Sequence, residues 1–186
     1  MERLVPSRED CHIRPISESD LEQVLRWRNS ERIRANMYTD HLITWEEHQA
    51  WFWKLKEDQT AVYLLFEFLQ RPVGLTYFTY IDSQNGKCFF GFYLGVEEMP
   101  RGIGTIMGFL GLEYAFGKMG IRKLCGEAFA FNKASINLFR RLGFAKEGHF
   151  VKHILKNETY EDVISFAILK EDWEDNRKKL EEFAFS

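Results

Sequence analysis

The chain has 186 residues, which suits one domain and is tight for two. Hydrophobic residues at 45% and charged residues at 28% give the composition of a folded globular protein, so disorder is excluded for most of the length. The 25 Lys and Arg against 28 Asp and Glu leave a formal net charge of -3, which argues against general nucleic-acid binding.

Cys11, Cys88 and Cys125 lie far apart and show neither CxxC nor metal-ligand spacing. A reduced, cytoplasmic protein without a metal site is expected. No apolar stretch approaches the ~20 residues of a membrane span, and Met1 to Asp10 is charged with no apolar signal core. No membrane association is expected.

In chain order, residues 1–10 read as a loose start. His12 to Ile16 reads as a first strand. Ser17 and Asp20 open a helix that carries Leu21, Val24 and Leu25 to about Asn29, with a second short helix after it. Thr44-Trp45-Glu46-Glu47 is a capping box that starts a helix bearing His48, Trp51, Phe52 and Leu55. The period then changes. Ala61 to Phe68 is rich in strand formers, Arg71 to Gly74 reads as a turn, and Leu75 to Ile81 as the next strand. Asp82 to Gly86 is a hairpin signal before a strand over Cys88 to Val96. Three strands joined by short turns predict an antiparallel meander. Glu97 to Gly104 is a loop, and Thr105 to Met119 has helical spacing with Gly120 at its C-cap. A strand over Lys123 to Ala130 follows, then a short helix over Lys133 to Leu142 capped by Asn132. Strands are predicted over 144–147, 149–156 and 160–169, the last two joined through Asn157-Glu158. The charged tail 171–186 reads as helical. The expectation is an α/β chain, one domain over 1–186, with a mixed sheet.

Two segments carry chemistry. In the first, a strand ending at Leu94-Gly95-Val96 runs through Arg101-Gly102-Ile103-Gly104-Thr105 into a helix. Glycines let successive backbone N–H groups face an anion, the helix N-terminus adds its dipole, and Arg101 adds a charged donor. On these residues alone the loop is either a pyrophosphate cradle or a plain strand-to-helix turn. Gly-Lys-Ser/Thr is missing, so it is not a P-loop, and Gly102-x-Gly104 with Gly108 only approaches a dinucleotide fingerprint. The second segment is Asn132-Lys133-Ala134-Ser135, continuing through Phe139 to Gly143-Phe144, after a strand that holds Glu127.

Together, in this order and at this separation, the two segments resemble the GNAT acetyltransferase superfamily over roughly residues 12–170. The resemblance implies a mixed, mostly antiparallel twisted sheet of about seven strands, flanked by helices and splayed in the middle to admit acetyl-CoA. It implies that Leu94, Gly95 and Val96 offer backbone groups to the pantetheine arm. The pyrophosphate falls to Arg101, Gly102, Ile103, Gly104 and Thr105, while Asn132, Ser135 and Phe139 flank the acetyl end. Phe139 stands where many members carry a Tyr thought to protonate the departing thiolate; phenylalanine cannot donate, so another acid such as Tyr93, a water or the substrate amine must serve. Lys133 and Arg141 lie close enough along the chain to reach CoA phosphates.

The N-terminal third is similar to the branch that acetylates a UDP-linked 4-amino-4,6-dideoxy altrosamine. The resemblance rests on Arg28-Asn29, Met37-Tyr38, and the Thr44-led helix with His48 and Trp51. It implies a sugar-nucleotide pocket of Arg28, Met37, Tyr38, His48, Trp51, Thr79, Phe89, Tyr93 and Glu127. By position alone His48 is either a packed histidine or a base, Glu127 faces either water or a cleft, and Trp51 is either core or a stacking surface for uracil. The reading is an acetyl-CoA-dependent N-acetyltransferase with a small-molecule acceptor, with Glu127 and His48 as candidate bases. Acetylation of a protein N-terminus or a polyamine is the alternative, and a non-catalytic acyl-CoA-binding module the alternative from another class. A homodimer is left open.

Overall fold

The computed structural model of the chain describes residues 6–185. The expected loose start at residues 1–5 lies outside the described residues; beyond it, Arg8–Asp10 forms a short 3-10 turn. Seven strands form one mixed sheet in the order β1-β2-β3-β4-β5-β7-β6. They are β1 (Cys11–Pro15), β2 (Val62–Phe68), β3 (Arg71–Asp82), β4 (Lys87–Leu94), β5 (Lys123–Phe129), β6 (Ala145–Lys156) and β7 (Thr159–Leu169). The helices are α1 (Leu21–Asn29), α2 (Glu31–Arg34), α3 (Trp45–Glu57), α4 (Ile103–Glu113), α5 (Lys133–Arg141) and α6 (Lys170–Ala184). The β1 to β4 part is an antiparallel meander, as its turn signals predict, and β4 and β5 form the one parallel pair in the sheet.

Alternation along the strands divides the burial between the two faces. On one face Leu64, Phe66, Phe78, Cys88, Phe90, Leu124 and Phe166 pack with α4 and α6 residues such as Ile106, Phe109, Trp173 and Leu180. Rings in contact run through this core: Phe78 stacks on Phe90 at 5.4 Å and Phe139 on Phe166 at 5.1 Å, while Phe92 meets Phe139 tilted at 5.1 Å. On the other face Leu65 and Leu75 pack with Val24, Trp27 and Ile33 of α1 and α2, and partly buried Tyr63, Tyr77 and Tyr93 border this smaller cluster. No described helix is long and apolar enough to cross a membrane.

Several element boundaries differ from the sequence reading. The β2–β3 turn is made by Leu69 and Gln70, both at positive φ, and Arg71 to Gly74 belong to β3. Pro72 is tolerated there because the register slips between Phe66 and Glu67 beside it. The fourth strand stops at Leu94, short of Val96. Helix α4 starts at Ile103 on Gly102, whose φ of 91° only glycine adopts without strain. After Glu113 the helix continues as one π turn, Tyr114–Lys118. The two strands expected over 144–147 and 149–156 are a single strand, β6, with a bulge at Gly148 and a second between Phe150 and Ile154. The charged tail is helical, as expected.

The entry into α1 rests on an ionic cluster. Asp20 is buried and accepts from the Ser17 backbone N–H at 2.8 Å, the Ser17 hydroxyl at 2.6 Å and Arg14 Nη1 at 2.7 Å. Burial pushes its carboxyl up, but Arg14 and Ser17 outweigh it and bring the group down to about 2. A carboxyl lowered on folding stabilises the fold above its unfolded value of 3.8, and that stability is lost as pH falls through about 2. Arg14 is partly exposed, so the cluster contributes on the order of 1–2 kcal/mol. Urea denaturation of the parent is therefore expected to lose stability between pH 4 and pH 2, and Asp20→Asn is expected to be less stable at pH 7 with a flatter acid limb over that window.

Candidate active site

The site begins where β4 and β5 part. They are paired for three rungs only, Lys87 to Phe89 with Lys123 to Cys125, while β4 stays on β3 as far as Gly74–Leu94. Gly95 N–H donates to Val73 O at 2.8 Å. By strand alternation the N–H and C=O groups of Phe92 and Leu94 then point away from β3, into the gap. β5 is held instead by β7 along its whole length. The Phe139 ring, from α5, touches both sides of the opening: it packs on Phe92 of β4 and stands over Gly126 of β5, where a Cβ would lie 2.4 Å from the ring. Gly126 is thus required by close approach.

A cavity of about 640 Å³ fills this gap and runs to the N-terminus of α4. Of the residues proposed from sequence for the cofactor, Leu94, Gly102, Gly104, Thr105, Asn132, Ser135 and Phe139 line it. A Cβ on Gly102 would meet nothing within 4 Å, and one on Gly104 nothing nearer than 3.7 Å, so the helix start faces open space of the kind a phosphate fills. Four proposed residues stand apart. Ile103 is buried in the core, and its N–H turns back to Pro100 O at 3.4 Å. Gly95 is pinned against Trp27, whose ring would lie 2.0 Å from an added Cβ. Val96 N–H is drawn to Val73 O at 3.4 Å, so the donors that strand alternation turns into the gap are Phe92 and Leu94 N–H. Arg101 is exposed and lines neither cavity; Arg141 lines the groove instead, donating to Thr105 Oγ1 at 3.2 Å. Lys133 Nζ is turned to Ala130 O at 2.8 Å. Asn132 Oδ1 caps α5 by accepting from Ser135 N–H at 3.0 Å.

A second cavity, of about 500 Å³, lies on the α1–α3 side, and Asn36, Met37, Tyr77, Gly91, Tyr93 and Glu127 line both cavities. The two spaces therefore meet at the end of the gap. All nine residues proposed for the acceptor line this cavity. Glu127 faces the cleft and accepts a hydrogen bond from Tyr38 Oη at 2.5 Å; burial and the Glu127 neighbour push the Tyr38 phenol up, so it keeps its proton. His48 is buried, stacks on Trp51 with centroids 5.0 Å apart, and its Nε2 has no hydrogen-bond partner among the described residues. Burial lowers the His48 pKa, so the neutral imidazole is the form present at neutral pH. Arg28 Nη2 donates to Thr39 Oγ1 at 2.7 Å, while its buried Nη1 has no partner among the described residues. Burial lowers Arg28, and Tyr93, Tyr77 and Tyr63 partly offset that. Burial pushes the Tyr93 phenol well up, so it is a poor proton donor.

Sequence reasoning passed over Arg32, Asn36, Tyr63 and Tyr77. Arg32 Nη2 donates to Leu94 O at 2.9 Å and to Gly95 O at 3.2 Å, which places a cation on the strand edge. Extended Ser30 separates the Arg32 helix, α2, from that of Arg28, so helical spacing does not link the two. Tyr63 and Tyr77 are directly paired across β2 and β3, and Tyr77 shares a face with Thr79 by period two. Gly104→Val is expected to weaken acetyl-CoA binding by roughly tenfold or more, read by titration calorimetry, with the urea midpoint little changed because the space in front of Gly104 is open.

Comparison with known proteins agrees with this geometry. Residues 11–145 match the family described as Acetyltransferase (GNAT) domain. The chain is 30% identical over 151 residues, 80% of this chain and 81% of the relative, to the SPbeta prophage-derived N-acetyltransferase YokL of Bacillus subtilis. It is 22% identical to the spermidine N(1)-acetyltransferase of Escherichia coli over 91% of each chain. It is 26% identical to the acetyltransferase PseH of Campylobacter jejuni over 69% of this chain and 79% of that one. The crystal structure of spermidine N-acetyltransferase from Vibrio cholerae with CoA and spermine superposes with a TM-score of 0.85 at 20% identity, covering 89% of this chain and 99% of that one. A sheet opened between its fourth and fifth strands and a glycine-led helix facing the opening are thus found in a chain that belongs to the GNAT acetyltransferase family, enzymes that transfer the acetyl group of acetyl-CoA.

Proposed function

We propose that the acceptor is the primary amine of a nucleotide-linked amino sugar, with the 4-amino group of a UDP-linked 4-amino-4,6-dideoxy altrosamine as the first candidate. The observation that carries this reading is Arg28. Its guanidinium lies in the acceptor cavity with one buried nitrogen unpartnered, and a buried donor of this kind favours an anionic oxygen such as a diphosphate. The rest of the lining supports the same choice. Trp51, Tyr63, Tyr77, Tyr80, Phe89 and Tyr93 offer flat apolar faces for a base and a sugar ring, and Glu127 is the one carboxylate on it among the described residues. A polyamine, with several positive charges, would gain one carboxylate and be repelled by Arg28.

The chemistry needs few groups. Acetyl-CoA supplies an activated acetyl group, so the amine nitrogen forms a C–N bond while the C–S bond breaks and CoA leaves as the thiolate or thiol. The edge of β4 offers Leu94 N–H to the acetyl carbonyl oxygen, an oxyanion-type contribution. Glu127, on the lining common to both cavities, takes up the amine proton directly or through a water. His48, neutral because it is buried, is the second acceptor for that proton. Phe139 offers no proton to the leaving sulfur, so that proton comes from the amine or from water. Holding two substrates end to end contributes much of the rate.

Release of CoA thiol is measured with the UDP-4-amino sugar, its C4 epimer, a ribosomal N-terminal peptide and spermidine. Turnover with a UDP-amino sugar alone is the expected result; turnover with spermidine or the peptide alone would overturn the acceptor assignment while keeping the enzyme class. Arg28→Met is expected to raise the sugar-nucleotide KM by roughly 10–100-fold, the loss of one charged hydrogen bond. Glu127→Gln and His48→Ala are each expected to lower kcat by at least about tenfold with the KM for acetyl-CoA unchanged. If both stay within about twofold, the bases have been wrongly placed.

A further inference from the structure

We infer that Lys156, at the tip of the β6–β7 hairpin, is a positioning residue for the acceptor site: it clamps the 35–44 loop so that Met37, Tyr38 and Thr39 are presented to the acceptor cavity. Lys156 is the last residue of β6 and only 6% exposed. A buried ammonium is costly unless every donor is used. Here Nζ donates to Met37 O at 3.0 Å and to Arg34 O at 3.3 Å, and lies 3.3 Å from Asp40 Oδ1. Its three donors thus have three acceptors. The Phe129 ring lies 5.7 Å from Nζ. These partners are about 120 positions away in sequence, separations of 119 and 122 for the two carbonyls.

The geometry of β6 explains how the lysine arrives there. Between Phe150 and Ile154 the strand spends four steps against two on β7, from Val163 to Glu161. Such a bulge bends a strand, and Lys152 within it has a φ of 50°. Asn157 and Glu158, both at positive φ, then close a tight turn. The hairpin tip reaches the loop between α2 and α3, which has no helix or strand of its own. That loop carries what the acceptor site needs. Met37 and Tyr38 line the cavity, Tyr38 donates to Glu127, and Thr39 accepts from Arg28. Lys156 itself lines neither cavity, so it acts through the loop. Arg34 reinforces the clamp by donating to Asp40 O at 2.6 Å.

The inference rests on the reading of the second cavity as the acceptor site, and the experiment separates the two. Amide hydrogen exchange of residues 35–41 is read with no acceptor present in the parent, in Lys156→Met and in Asp40→Asn, which leaves the lysine in place should the first variant fold poorly. Exchange in this loop is expected to speed by at least about tenfold in Lys156→Met and by less in Asp40→Asn, with β3, β4 and α4 unchanged. Steady-state kinetics are then run with whichever amine supports thiol release. The acceptor KM is expected to rise roughly tenfold or more while the acetyl-CoA KM stays within about twofold. Unchanged loop exchange would overturn the clamp, whatever amine the enzyme takes. Faster exchange with an unchanged acceptor KM would leave Lys156 structural only and overturn its positioning role. A parallel rise in both KM values would do the same.

Discussion

The whole arrangement depends on a parallel pair that stops early. β4 and β5 share three rungs and then separate, each held on its outer side by an antiparallel neighbour. A buried sheet normally pairs every backbone group, so an interior edge left open calls for a partner of another kind. Phe139 and Gly126 keep it open: the ring occupies the place where β5 would carry a Cβ, and it leans on Phe92 across the gap. The Phe92–Leu94 edge and the start of α4 thereby face one continuous groove. The opening belongs to the fold itself, and a 20% identical structure shares that fold with a TM-score of 0.85.

The second cavity is built by different means. Most of its rings stand on β2, β3 and β4, with Trp51 added from α3, while Arg28 comes from α1 and Glu127 from β5. Tyr63 stacks on Tyr77 with centroids 5.1 Å apart, and Trp51 meets Tyr63 edge-on at 4.9 Å. Arg28 and Glu127, of opposite charge, both line the cavity.

Legibility from sequence followed the range of the interactions. Local signals placed most elements: the Thr44–Glu47 capping box, the Asn132 cap and the Asp82–Gly86 turn all form as their residues dictate. Misplaced boundaries arose where one residue served two patterns. Arg71–Pro72–Val73–Gly74 has the composition of a turn, yet Leu69 and Gln70 take up the positive φ angles and leave those residues to the strand. The glycine loop was readable as a motif, but not which of its groups face the groove, because that depends on Val73 holding the Gly95 N–H and on Ile103 sinking into the core. Arg32 and Lys156 stayed hidden for the same reason: their partners are brought together only by tertiary packing.

The open interior edge also bears on how the folded state is maintained. A sheet missing part of its central ladder has backbone groups there that no neighbouring strand satisfies, and of these Arg32 reaches Leu94 O. A bound acyl-CoA arm would in effect serve as a short extra strand, and anything that binds the native form but not the unfolded chain stabilises it, by about 2.7 kcal/mol at a hundred times its dissociation constant. With an acetyl donor held in this gap, the stability of the folded state would become a function of how much of that donor is at hand.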